Sequence, residues 1–215
     1  MAGELGMLRR YATLFWDFDG VIKDSVAVKS AAFEHLFAPF GADVAARVRL
    51  HHERNGGMSR YQKLPLYLQW AGQRASPADV ARYCELFSAA VQQAVIDSPW
   101  VPGAREYLLA NHARQAFVLV SATPCAEMEH ILQVLELHDC FREVHGAPTS
   151  KMQAIQSVLA RWSCPAADAI LIGDADSDYA AATATGIHFL LRRTALNQSL
   201  QRQHCGLQCE DFTDG

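Results

Sequence analysis

Short apolar runs and longer helical patterns divide the chain into two unlike regions. Leu14-Phe15-Trp16 forms an apolar run leading into Asp17-Phe18-Asp19-Gly20. Residues 116–120, 169–172 and 187–191 are apolar runs of strand length, and 143–145 is a weaker one. Helical periodicity fills 103–113, 125–136, 150–162 and 177–184 between them. Strands apolar on both faces and separated by helices predict a doubly wound parallel sheet with covered faces. The stretch after the first run differs, being helical pattern without strands. A helix is expected over 25–37, with Val28, Ala32 and Leu36 as its apolar stripe and Phe33 and Phe37 beside it. Others are expected over 42–52 and 59–70. Another starts at Ser76-Pro77-Ala78-Asp79, with serine as N-cap and proline in the first turn, and runs to about residue 96. The expected organisation is an α/β core from 1–23 and 98–215 with an all-helical insert from 24–97.

Composition narrows the function classes. The chain has 215 residues, half of them hydrophobic, and a net charge of −4. Mild acidity gives no electrostatic reason to expect a nucleic-acid partner. No apolar run reaches the eighteen residues of a membrane span. The first residues lack the basic-then-apolar build of a secretion signal. Six cysteines, at 84, 125, 140, 164, 205 and 209, contain no Cys-x-x-Cys pair. They are expected as reduced thiols in a cytoplasmic protein, a monomer or homodimer. His204 with Cys205 and Cys209 lacks the partner pair of a zinc site, and a frayed terminal segment is expected there.

The chemistry collects after the strands, where open α/β sheets bind their ligands. Asp17 and Asp19 follow the first run, on one face of the strand if it extends that far. Two adjacent carboxylates repel unless a cation or shared proton intervenes, and Gly20 permits a sharp turn and a close ligand. The pattern fits a divalent-metal site with one carboxylate left for chemistry, or a simple Asx turn. Ser121 follows the second strand and stands before a helix start able to hold an anion, or merely caps it. Lys151 opens a helix, where the dipole disfavours a cation, and so faces solvent or a nearby anion. Asp174, Asp176 and Asp178 follow the fourth strand. Oxygen donors without neighbouring histidine or cysteine suit Mg²⁺ better than zinc.

Asp17-Phe18-Asp19-Gly20-Val21, then Ser121, Lys151 and Gly173-Asp174-x-x-x-Asp178, in this order, resemble the haloacid dehalogenase superfamily. The nearer likeness is to the phosphoglycolate phosphatase and β-phosphoglucomutase branch, which carries a helical cap after the first motif. Asn55-Gly56-Gly57-Met58-Ser59-Arg60 is similar to the cap of bacterial members.

The resemblance implies a Mg²⁺-dependent phosphatase acting on a small phosphorylated metabolite, a sugar or sugar-acid phosphate, through an aspartyl-phosphate. It implies Asp17 as nucleophile and Asp19 as acid and base. Mg²⁺ would lie on Asp17, the carbonyl of Asp19 and Asp174, with Asp178 ligating through water or orienting Lys151. Ser121, Ala122 and Lys151 would hold the phosphate. The cap residues expected to meet substrate are Arg54, Asn55, Ser59, Arg60 and Lys63. Asp19 argues against dehalogenase and phosphonate-cleaving chemistries, which lack this second acid. A phosphosugar mutase keeps the same residues, and a non-catalytic binding protein would have lost Asp17 or Asp174. Lys23 departs from the family pattern and is expected either in solvent or at the substrate.

Overall fold

The computed structural model describes residues 4–213. A short helix, α1 (Glu4–Leu8), precedes the first strand, β1 (Thr13–Trp16). Four helices follow without a strand between them: α2 (Val26–Phe37), α3 (Ala42–Arg54), α4 (Arg60–Trp70) and α5 (Pro77–Asp97). The chain then alternates. It runs α6 (Ala104–Asn111), β2 (Ala116–Pro124), α7 (Cys125–Val134), β3 (Glu143–Ala147) and α8 (Lys151–Trp162). It ends with β4 (Ala169–Gly173), α9 (Asp176–Thr185), β5 (His188–Arg192), α10 (Gln198–Gln203) and β6 (Leu207–Cys209).

The strands form one parallel sheet in the order β3-β2-β1-β4-β5-β6. Alternation along β1 divides the sheet's two faces. Leu14 and Trp16 join Phe117, Leu119, Ile170 and Ile172 on one side. Phe15 joins Val118, Val120 and Leu171 on the other, beneath Ile155 and Val158 of α8 and Ala181 and Ala182 of α9. Burial on both faces explains why these strands read as unbroken apolar runs. The first cluster continues through Phe18, Val21 and Ile22 to Phe33, Phe37, Tyr67 and Phe87, so the helical insert shares a core with the sheet.

Three expectations are corrected. The buried side of α2 is Lys29, Ser30, Phe33 and Phe37, while Val28, Ala32 and Leu36 are only partly covered. The buried stripe lies one position further along because a lysine and a serine occupy the inward face. The segment after residue 203 is not frayed. It forms β6 on the sheet edge, with Cys209 buried, and the His204 ring engages the Leu207 carbonyl at 3.2 Å. Three residues were too few to register as an apolar run. Lys23 lies in neither expected place. It is 2 % exposed, donates to the Ile96 carbonyl at 2.9 Å and sits 4.2 Å from the Trp100 ring centroid. The cation thus rests at the carboxyl end of α5, where the helix dipole favours it.

Lys23 also marks the seam between insert and sheet. Asp24 N–H donates to Pro99 O at 2.8 Å and Val101 N–H to Ile22 O at 3.0 Å. The outgoing and returning chains therefore run side by side.

Candidate active site

The order in which strands are added reverses between β1 and β4, the place where open α/β sheets form a ligand crevice. Asp17 follows β1 and Asp174 follows β4. The Asp17 N–H still bonds Ile172 O at 2.9 Å, so the β1–β4 ladder itself fixes the first carboxylate. The strand stops before Asp19, and the two acids take different partners instead of projecting in parallel.

Asp17 is buried and lies 2.8 Å from Lys151 Nζ. Its Oδ1 accepts from the Phe18 N–H at 2.8 Å. Lys151, at the first position of α8, also pairs with Asp178, whose second oxygen accepts from the Ala175 N–H at 3.1 Å. Asp178 is fully buried. Lys151 therefore escapes its unfavourable helix end by reaching two carboxylates.

Oxygens of Asp17, Asp174 and Asp178 lie within 4.8 Å of one another, the one such acidic cluster among the described residues. Gly20, at φ 77°, lets the chain pass against the Asp174 carboxylate, where a Cβ would collide with its Oδ2. Burial, with repulsion from Asp178 and Asp19, outweighs Lys151 and pushes Asp17 up to about 7. Burial and the charges of Asp17 and Asp178 raise Asp174 well above the ordinary carboxylate value. Lys151 is raised because its two aspartates outweigh its burial.

Asp19 behaves oppositely. Its burial is outweighed by Lys29 and Ser25, and its carboxyl is held below the ordinary value. Ser25 Oγ donates to Oδ1 at 2.6 Å, and Lys29 pairs with Oδ2. Lys29 also donates to Thr123 Oγ1 at 2.8 Å. Lys29 and Thr123 were missed in the sequence. The available signal was Ser25, Lys29 and Phe33 at one-turn spacing, a lysine on an inward helix stripe.

Ser121 is buried, and its Oγ accepts from the Thr123 N–H at 3.1 Å. Ala122 and Thr123 reach the cavity wall. That cavity, of about 400 Å³, is roofed by the insert. Its lining includes Asp17, Asp19, Lys151 and Asp174 from the sheet and Lys29, Arg54, Asn55, Arg60 and Lys63 from the insert. The Gly56-Gly57 turn presses on α9, and a Cβ at Gly57 would occupy the place of Ser177 Oγ.

The insert side chains differ in their freedom. Arg54 is exposed at the rim. Asn55 Nδ2 donates to His51 O at 2.8 Å, and Ser59 is the N-cap of α4, its Oγ hydrogen-bonded to Gln62 Oε1 at 3.3 Å. Arg60 is buried in a two-pronged pair with Glu127 of α7, at 2.8 and 2.7 Å, and also donates to Ser88. Lys63 is buried against His52.

A lysine-braced acidic cluster at the switch point of a doubly wound parallel sheet, under a helical roof, marks an enzyme site of the Rossmann-like class. Residues 14–191 match the model of the haloacid dehalogenase-like hydrolases, and the chain belongs to that family. A phosphoglycolate phosphatase from Pseudomonas fluorescens is 24 % identical over 180 residues, covering 81 % of this chain and 66 % of that protein. The alignment thus spans just under two thirds of that relative's length. Among solved structures, a β-phosphoglucomutase from Clostridium difficile superposes with TM-score 0.75 at 20 % identity, covering 94 % of this chain and 92 % of the other. A hydrolase from Pseudomonas syringae superposes with TM-score 0.74 at 18 % identity, covering 94 % and 95 %.

Proposed function

We propose that the chain is a Mg²⁺-dependent phosphatase that transfers the phosphoryl group of a small phosphorylated metabolite to Asp17 and then to water. One observation carries this reading: Asp17 shares Lys151 with Asp178 and forms one cluster with Asp174 and Asp178, with Asp19 held separately by Lys29 and Ser25. The phosphoglycolate phosphatase relative supports the same reaction class.

The donor set fits the metal. Three crowded carboxylates with oxygen donors alone suit a hard divalent cation, which would offset the burial and mutual repulsion that raise the proton affinities of Asp17 and Asp174. Asp17, Asp174 and the Asp19 carbonyl would hold Mg²⁺, while Asp178 orients Lys151. When bound, the ion supplies charge neutralisation for the phosphate oxygens.

The protein groups divide the remaining work. Asp17 attacks phosphorus and becomes the aspartyl-phosphate. Lys151 pairs with non-bridging oxygens as negative charge shifts. Asp19, oriented by Lys29 and Ser25 as a carboxylate, would take the proton of a monoprotonated phosphate ester, pass it to the leaving oxygen, and later take one from the attacking water. Ser121, Ala122 and the N–H groups near them would cradle the transferred group. Phosphate-monoester hydrolysis can require accelerations near 10²¹-fold, roughly 28 kcal/mol, so no single group suffices. Residues 24–97 would act as a cap that excludes water and supplies Arg54, Asn55 and Lys63 around the leaving group, while Ser59 caps α4 and Arg60 is held by Glu127. The natural setting would be the cytoplasm, where the six free cysteines stay reduced.

Likeness to β-phosphoglucomutase supports a second reading, a phosphosugar mutase with the same core residues. A panel of phosphorylated metabolites, assayed with Mg²⁺ and with EDTA, separates the two. Free phosphate released only with Mg²⁺ is expected. An isomeric sugar phosphate without free phosphate would establish the mutase. Release unaffected by EDTA would overturn the metal assignment.

A further inference from the structure

The insert contributes four basic side chains to the cavity, Lys29, Arg54, Arg60 and Lys63. Lys29 is matched by Asp19 and Arg60 by Glu127. Arg54 stands at the exposed rim. Lys63 is different. It is 1 % exposed, and its hydrogen-bond partner among the described residues is a ring nitrogen, His52 Nδ1, at 2.8 Å. No carboxylate forms an ion pair with it among those residues. The Phe33 ring centroid, 6.0 Å from Nζ, supplies only a weak cation–π contact.

A buried ammonium without a counter-ion is unfavourable, and such a group is stabilised by an arriving anion. Burial, with Lys29 nearby, brings Lys63 down to about 7. Burial and the same lysines hold His52 well below its ordinary value, so its ring is neutral and accepts from Lys63. The cavity is therefore polarised. Its sheet end holds the phosphoryl-transfer groups, and its roof holds a deep lysine that no carboxylate pairs with directly among the described residues, Asp19 acting on it only from a distance.

We propose that Lys63, steadied by His52, binds an anionic group on the leaving alcohol, so that preferred substrates carry a second negative charge beyond the phosphate. This rests on the phosphatase reading above and makes Lys63 a specificity residue of the same site. A cavity of about 400 Å³ limits the partner to a small molecule, such as a phosphorylated hydroxy acid.

Matched substrates test it: 3-phosphoglycerate against glycerol 3-phosphate, and 6-phosphogluconate against glucose 6-phosphate. Wild type should favour the acid of each pair by about tenfold or more in kcat/KM, about 1.4 kcal/mol. In Lys63→Met that ratio should fall to near one, chiefly through KM for the acid. Because the ratio is taken within one preparation, any loss of folded protein cancels. A bisphosphate taken as readily as the acids would show that charge is read; neutral members preferred, or a ratio unchanged in Lys63→Met, would overturn the proposal. Binding of glycerate by calorimetry reads the subsite without turnover. Wild type should bind it and Lys63→Met should not, while equal binding would overturn the subsite. Absence of phosphate release from every substrate would instead count against the phosphatase reading, and the glycerate measurement would still decide for Lys63.

Discussion

Single residues carry opposite charges in opposite conditions around this cavity. Under the proposed mechanism an amide at position 17 removes the attacking oxygen, yet asparagine keeps the shape of Asp17. Asp17→Asn should therefore fold normally and lose phosphate release by at least about 10³-fold. Near wild-type turnover by the purified variant would remove Asp17 from its role. Lys63 invites a test on stability. Its folded proton affinity lies below the value of about 10.5 for an unfolded lysine. Between about pH 7 and that value the unfolded chain holds more protons, so its contribution to stability rises with pH. Below pH 7 both states are protonated and the full burial cost remains. Urea titrations should show Lys63→Met more stable than wild type at pH 7, with the difference shrinking toward pH 10. A constant difference would show that Lys63 is not held low.

Between elements, the roof is joined to the sheet by a buried ion pair and a tight contact. Arg60 of α4 and Glu127 of α7 both have side chains under a tenth exposed, and Ser88 of α5 donates to the same carboxylate at 2.7 Å. Removing one partner leaves the other charge buried alone. Glu127→Gln or Arg60→Met should each cost about 3–5 kcal/mol, and the double variant less than their sum. Additive costs in denaturation would show that the pair is not coupled. Arg60 illustrates the limit of sequence reading. Its place beside a glycine-rich turn marked it as a substrate contact, but the acid that takes it lies 67 positions away, and nothing local encodes that pairing. Lys29 was missed for a related reason. Helical periodicity assigns inward positions to apolar residues, and a lysine directed at a carboxylate breaks that rule. Gly57 gives a complementary test. Gly57→Val would strike Ser177 and hold the turn off α9, and kcat/KM should fall while the denaturation midpoint stays near wild type. Unchanged turnover would show that this contact is not needed for closure.

For the whole molecule, the strand-and-helix alternation and the order of the candidate residues Asp17, Ser121, Lys151 and Asp174 were legible in the sequence because β1, β4 and most of β2 are buried on both faces and read as unbroken apolar runs. The edge strand β6 and the clamp at Lys23 were not, since both depend on neighbours distant in the chain. Convergence of four loops predicts a pH-dependent metal affinity. With Asp17 at about 7 and Asp174 raised, a cation must displace protons at low pH. Mg²⁺ affinity measured by calorimetry should climb as pH rises through about 7 and then level, with proton release on binding. An affinity flat from pH 5 to 8 would contradict the crowded carboxylate cluster.

The seam at Lys23 has an architectural consequence. A hydrogen bond from Asp24 to Pro99 ties the point where the roof departs to the point where it rejoins. Two ends held that close leave the length of the intervening segment free, whatever contacts it makes farther on. A change in roof length would therefore leave the course of β1 and α6 undisturbed at the junction.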